Sequence, residues 1–131
     1  MRKDIEIPEV TQVYIAAVRE WDKEFLAQNW FVYLINNWDK TLQTTLVMSR
    51  GNDSDRKTST LRHGLNDVPP GKAVKIELLP DEVLGFTNEY LLTFFADDKL
   101  YDKTFVFEPY TVKEEAASTL PVMDSDGVLA K

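Results

Sequence analysis

Tyr90–Phe107 reads YLLTFFADDKLYDKTFVF. Two runs rich in aromatic and β-branched residues flank a short polar break, Asp97-Asp98-Lys99. Such side chains suit a pleated, half-buried surface, and the break supplies turn residues, so the stretch predicts an antiparallel hairpin. Its first run is apolar on both faces except at Thr93. A strand of that kind belongs in the middle of a sheet, and the aromatics Tyr90, Phe94, Phe95, Tyr101, Phe105 and Phe107 read as core.

Upstream, Pro80 to Glu89 is a connection with room for one helical turn. Ala73 to Leu79 alternates cleanly, with Val74, Ile76 and Leu78 expected inward and Lys75 and Glu77 outward. Val68-Pro69-Pro70-Gly71 is a break, and Thr58 to Arg62 reads as a short polar strand suited to a sheet edge. Gly51 to Lys57 is a loop by composition. Leu42 to Ser49 is a strand whose Leu42, Thr44, Leu46 and Met48 make the more apolar face. Across the turn Asn37-Trp38-Asp39-Lys40 it returns from Trp30 to Asn36, a strand apolar on both faces.

Val10 to Gln28 carries two patterns. Val10, Val13, Tyr14, Ala17, Val18, Trp21 and Phe25 recur at helical spacing, with Pro8 placed to start a helix. The run VYIAAV also fits a buried strand followed by a polar loop from Arg19 to Asn29, and the β-rich remainder favours the strand. Ahead of it, Met1 to Glu9 is a charged lead that forms at most a small edge strand. After Pro109, Thr111 and Glu114 match a capping box before a short helix. TLPVMDSDGVLAK then mixes apolar and turn residues, so this tail either lies along the domain or engages a partner.

About seven short strands at regular spacing predict an all-β fold, an immunoglobulin- or fibronectin-like two-sheet antiparallel sandwich. The sandwich occupies residues 1–109 and a C-terminal extension residues 110–131. Tyr90 lies where such sandwiches often place a Tyr that bonds to upstream backbone.

The chain has 131 residues, 44% of them hydrophobic, and a net charge of −7. That length suits one domain. With no cysteine, a disulfide framework, a thiolate metal site and a cysteine nucleophile are excluded. The basic start is not followed by an apolar signal core, and no run reaches membrane-spanning length, so the expectation is a soluble cytoplasmic protein. The acidic balance weighs against nucleic-acid binding. One segment departs from it. Between Arg50 and His63 four basic residues stand against two acidic ones, a local +2 that leaves −9 for the rest.

That segment holds the candidate binding residues Lys57, Ser59, Thr60, Arg62 and His63. Arg62 offers a planar two-donor fork that suits a phosphate or carboxylate, although the plainer reading of these residues is an edge strand kept solitary by charge. A Ser–His–Asp site would need His63 beside a serine and a carboxylate such as Asp67. Ser59 lies about 13 Å from His63 along a strand, too far for that bond. No glycine-rich phosphate loop or nucleophile elbow occurs. Asn52-Asp53-Ser54-Asp55 and Asp124-Ser125-Asp126-Gly127 resemble fragments of calcium loops but lack the closing glutamate, so they read as turns and no metal or cofactor is expected. The pairs Asp97-Asp98 and Glu114-Glu115 read as solvated charges, and Trp21, Trp30 and Trp38 as core or cap packing rather than a stacking platform.

Trp30–Asn36 (WFVYLIN), Lys57–His63 (KTSTLRH), Asn88–Phe95 (NEYLLTFF) and Tyr101–Phe107 (YDKTFVF) resemble a family of small uncharacterised bacterial β-sandwich proteins, over roughly Ile5 to Val128. Members sometimes carry the label phenylalanyl-tRNA synthetase alpha subunit. The synthetase core's ATP-binding arginine and glycine-rich motifs are absent here, and the chain is too short for it. The resemblance implies a sandwich and no established activity.

The function expected is a non-enzymatic module binding a protein partner, or itself, through the Thr58–His63 edge and the C-terminal segment. Binding of a small anion or phosphate through Lys57, Arg62 and His63 is the alternative, with an enzyme as a third reading.

Overall fold

The computed structural model describes residues 9–131. The expected lead strand and the helix start at Pro8 therefore fall outside the described residues, apart from Glu9. Among the described residues there are nine strands: β1 Val13–Trp21, β2 Gln28–Asn36, β3 Leu42–Asn52, β4 Leu61–Val68, β5 Lys72–Leu79, β6 Thr87–Ala96, β7 Lys99–Phe107, β8 Ser118–Thr119 and β9 Asp126–Leu129. They form two antiparallel sheets, ordered β5-β2-β1-β9-β8 and β4-β3-β6-β7, packed as a sandwich. Of the first seven strands, β1, β2 and β5 lie in one sheet and β3, β4, β6 and β7 in the other, the distribution of immunoglobulin-like domains, with β4 beside β3 in the place of a C′ strand. No helix among the described residues is long and apolar enough to cross a membrane.

The β6–β7 hairpin forms as its composition requires. β6 lies between β3 and β7, and its Tyr90, Leu92, Phe94 and Ala96 are buried. Ala96 pairs with Lys99, so the turn is Asp97-Asp98 alone. Both take positive φ, 51° and 61°, the backbone that matches a two-residue turn to the twist of its strands.

β1 is a strand, and it runs to Trp21, past the expected start of the loop. Val13, Ile15 and Ala17 face the space between the sheets. Ala16 and Val18 face the opposite way, into a second cluster with Ile35 and Leu120. A strand covered on both faces cannot alternate, which is why its apolar residues imitate helical spacing.

The cover comes from the C-terminal segment. The capping box does not form: the Thr111 hydroxyl donates to the Glu108 carbonyl, and only a 3₁₀ turn follows at Glu114–Ala116. β9 then pairs with β1, and a side chain at Gly127 would come within 2.6 Å of the Ala17 carbonyl oxygen, so only glycine permits this approach. Beyond β9, Lys131 exchanges backbone hydrogen bonds with Val106 of β7, each 3.0 Å. Residues 110–131 thus tie the two sheets together on the β1/β7 side. Among the described residues the opposite side, between edge strands β4 and β5, has no backbone tie of this kind.

Two expected faces are overturned by irregular register. In β3, Thr44 has φ 49° and the pairing shifts twice between Leu42 and Leu46, so Leu42, Thr45, Val47 and Ser49 point inward. Leu46, expected inside, is 38% exposed. In β5, Val32 pairs with Glu77 while Tyr33 pairs with Lys75, which leaves Ile76 as an extra residue. Past this bulge the faces exchange: Leu78 is 45% exposed and Glu77 turns inward. Thr58–Thr60, expected as strand, is loop, and β4 begins at Leu61. Of the tryptophans, Trp30 is buried and Trp38 packs edge-on against Phe94 and Tyr101, but Trp21 is exposed.

Candidate functional site

The five candidate residues are not gathered at one point. Arg62 faces outward on edge strand β4, and Ser59 and Thr60 are exposed in the preceding loop. Lys57 makes an isolated bridge to Asn52. Lys57 and Thr60 line an open hollow of about 340 Å³ with Arg50 and Glu89, whereas Ser59 lines a neighbouring cleft of about 220 Å³. Arg62 and His63 line neither. The hollow contains the Glu89 carboxylate, which already holds Arg50 at 2.7 Å. A carboxylate there repels the small anion that the basic segment suggested.

The focus of the open side is instead Glu77. The bulge at Ile76 aims it into the space between sheets, where its side chain is 15% exposed. Its Oε1 accepts hydrogen bonds from the Ser49 hydroxyl at 2.8 Å and from His63 Nε2 at 2.6 Å. Its Oε2 accepts from the Tyr90 hydroxyl at 2.9 Å. Because an ionised carboxylate only accepts, His63 carries its proton on Nε2. One carboxylate of the first sheet thereby holds three strands of the second: β3, β4 and β6. Tyr90 was expected to bond to backbone at the crossover; the carboxylate takes its hydroxyl instead.

Burial, and then the charge and hydrogen bond of Glu77, raise the Tyr90 phenol well above its ordinary range. Burial and a 2.6 Å hydrogen bond to Glu20 do the same for Tyr33. In the unfolded chain both titrate near pH 10. Above that pH the unfolded state loses protons that the folded state keeps, so stability falls as pH rises and is unaffected below it. Phenolate absorbance from these two of the five tyrosines is expected only as the fold is lost, and Tyr90→Phe should make the alkaline decline shallower. Their ionisation with native near-ultraviolet dichroism intact would contradict this.

Glu77 went unnoticed in the sequence because strict alternation along β5 put it in solvent. Nothing in KIELL marks the bulge, since no glycine or proline accompanies it. Ser49 was missed for the same reason in β3. Of the five sequence candidates, His63 belongs to this network and Ser59 to its cleft.

The arrangement has a clear chemical limit. Ser49 and His63 both bond to Glu77, with the carboxylate in the middle. A serine nucleophile needs the imidazole in that place, to take its proton. The Asp53 loop is a turn: Asp53 Oδ1 accepts the Asp55 and Arg56 amides at 2.9 and 2.7 Å, and Oδ2 binds the Arg56 guanidinium. The amide of Asp55 and the Arg56 side chain hold this carboxyl below the usual range. Asp126 and Gly127 of the second acidic fragment lie in β9. No group of three or more His, Asp or Glu placed to hold a metal ion occurs among the described residues.

Compared with known proteins, the chain matches no family model, no curated protein and no solved structure.

Proposed function

We propose that this protein is a non-enzymatic interaction module that takes an extended acidic segment of a partner protein onto the outer edge of β4. The observation that carries this reading is the position of β4, an edge strand on the side of the sandwich that the C-terminal segment leaves untied. Leu61 to Gly64 pair in unbroken register with Ser49 to Leu46, so their outer edge is a regular template for another strand. β5, the other edge on this side, is interrupted by its bulge. The C-terminal segment is engaged with β1 and β7, so the interface proposed here is β4 alone.

Charge supports the choice of partner. Arg50 and Arg56 are held by Glu89 and Asp53, whereas Lys57 and Arg62 have no ion-pair partner among the described residues. Both stand beside the edge and would steer an acidic segment. The order Ser49–Glu77–His63, which lacks a base on the hydroxyl, supports the non-enzymatic half of the reading.

The test is anisotropy with a labelled ten-residue peptide alternating threonine or valine with glutamate. Lys57→Glu/Arg62→Glu is expected to weaken binding at least tenfold, since two exposed charge contacts become repulsive. In the wild-type complex those amides of Leu61 to Gly64 that point away from β3, every second one, should gain protection from hydrogen exchange. Equal affinity of wild type and variant, or protection confined to other strands, would overturn the proposal.

A further inference from the structure

The cleft beside Glu77 has features that strand addition does not use. Its walls include Leu61, Leu78, Leu79, Pro80 and Val83, and its polar lining includes Glu77 and Tyr90. At about 220 Å³ it is smaller than the roughly 300 Å³ at which pockets for drug-sized ligands begin. About seven waters would share that volume at ~30 Å³ each. It fits a fragment or one side chain.

The carboxylate decides the charge of the occupant. An ionised carboxylate has about four acceptor positions, and three hydrogen bonds reach Glu77, two on Oε1 and one on Oε2. The remaining position is on Oε2, the oxygen that Tyr90 also bonds. Ser49 and Tyr90 donate as neutral groups, and His63 is the one ionisable donor among the described residues that reaches Glu77. Among the described residues the one other charged side chain that lines the cleft, Arg50, is held at 2.7 Å by Glu89. A carboxylate largely out of water that lines a cleft with an acceptor position left over favours a cation there. Apolar walls favour a cation on a hydrocarbon stem.

We propose that this cleft binds a primary ammonium group carried on an apolar stem, with the ammonium donating to Glu77 Oε2 and the stem lying against Leu61, Leu78 and Val83. A free arylalkylamine and the side chain of a lysine share this chemistry. The site is independent of peptide addition at β4 and stands if that reading fails.

Amide NMR titration with 2-phenylethylamine, and with 2-phenylethanol as its neutral counterpart, tests the assignment. The amine should give saturable shifts at Ser49, Leu61, Glu77 and Tyr90 and bind at least tenfold more tightly than the alcohol. Glu77→Gln should abolish that preference. Leu61 is 49% exposed at the edge strand, so Leu61→Trp leaves the core intact and should obstruct the cleft for both probes. It keeps the proposal testable if the glutamine variant does not fold. Equal affinity for amine and alcohol, a preference that survives Glu77→Gln, or binding unchanged by Leu61→Trp would each overturn it. A capped lysine, Nα-acetyl-lysine methylamide, separates the sources: binding as tight as the amine's supports a lysine side chain, and binding by the amine alone supports a small molecule.

Discussion

Replacing Glu77 by alanine is expected to lower the unfolding free energy by about 3 kcal/mol, measured by urea denaturation at neutral pH. The substitution strands three donors that meet nowhere else: the Ser49 hydroxyl, His63 Nε2 and the Tyr90 hydroxyl. Ser49 and Tyr90 are 5% and 1% exposed, so their replacement acceptor must be water entering from the cleft they line, a neutral partner in place of a carboxylate. The carboxylate itself is 15% exposed, which places the effect at the low end of the range for breaking a buried ionic group. Tyr90→Phe, which removes one donor and leaves an acceptor with two others, should cost about 1 kcal/mol. The two substitutions should not add, because the Tyr90 hydroxyl has nothing to lose once Glu77 is gone. A loss under about 1 kcal/mol for Glu77→Ala would mean that water serves these groups, and that the bulge at Ile76 does not exist to place a carboxylate.

Phe94→Ala should be the most damaging single truncation in the core, at about 4 kcal/mol. Phe94 is fully buried, and its ring lies parallel to Tyr101 at 5.0 Å and edge-on to Trp38 at 6.4 Å. Trp38 in turn meets Tyr101 edge-on at 5.5 Å, so three rings from β6, β7 and the β2–β3 turn close one end of the sandwich. Removing the Phe94 ring loses its burial and leaves a cavity that its two rigid neighbours cannot collapse into. The adjacent Phe95 is an internal control, since it is 43% exposed on the other face of β6. Its replacement by alanine should cost less than about 1 kcal/mol. Similar losses at both positions, in the same denaturation experiment, would contradict the inward and outward assignment of this strand.

Neither contrast was read in advance: Phe94 and Phe95 were both expected in the core, yet Phe95 is 43% exposed, and Glu77 and Leu78 were expected the other way round. Along β6 the faces keep a period of two from Tyr90 to Ala96, so a residue's parity decides its environment. In β5 the same rule holds only up to the bulge and then inverts, which exposes Leu78 and draws Glu77 inward. Thr44 does the same to β3 and brings Ser49 to meet Glu77. The candidate site lies where these two inversions coincide, which is why parity along either strand alone pointed elsewhere.

Amino-acid pattern alone determined the all-β class and the hairpin with its turn at Asp97, favoured a strand for β1, and pointed to a charged edge strand near Arg62, although β4 starts at Leu61 and not at Thr58. Each of these rests on local composition: β-branched and aromatic runs, turn residues, and charge where a sheet must end. Tertiary structure decided which way Glu77 and Ser49 point, that Leu120 covers the outer face of β1, and that Lys131 ties β9 to β7. A bulge taken by ordinary residues leaves no mark on composition. It is specified only by the register against neighbouring strands, and that register exists only once the sheets have formed.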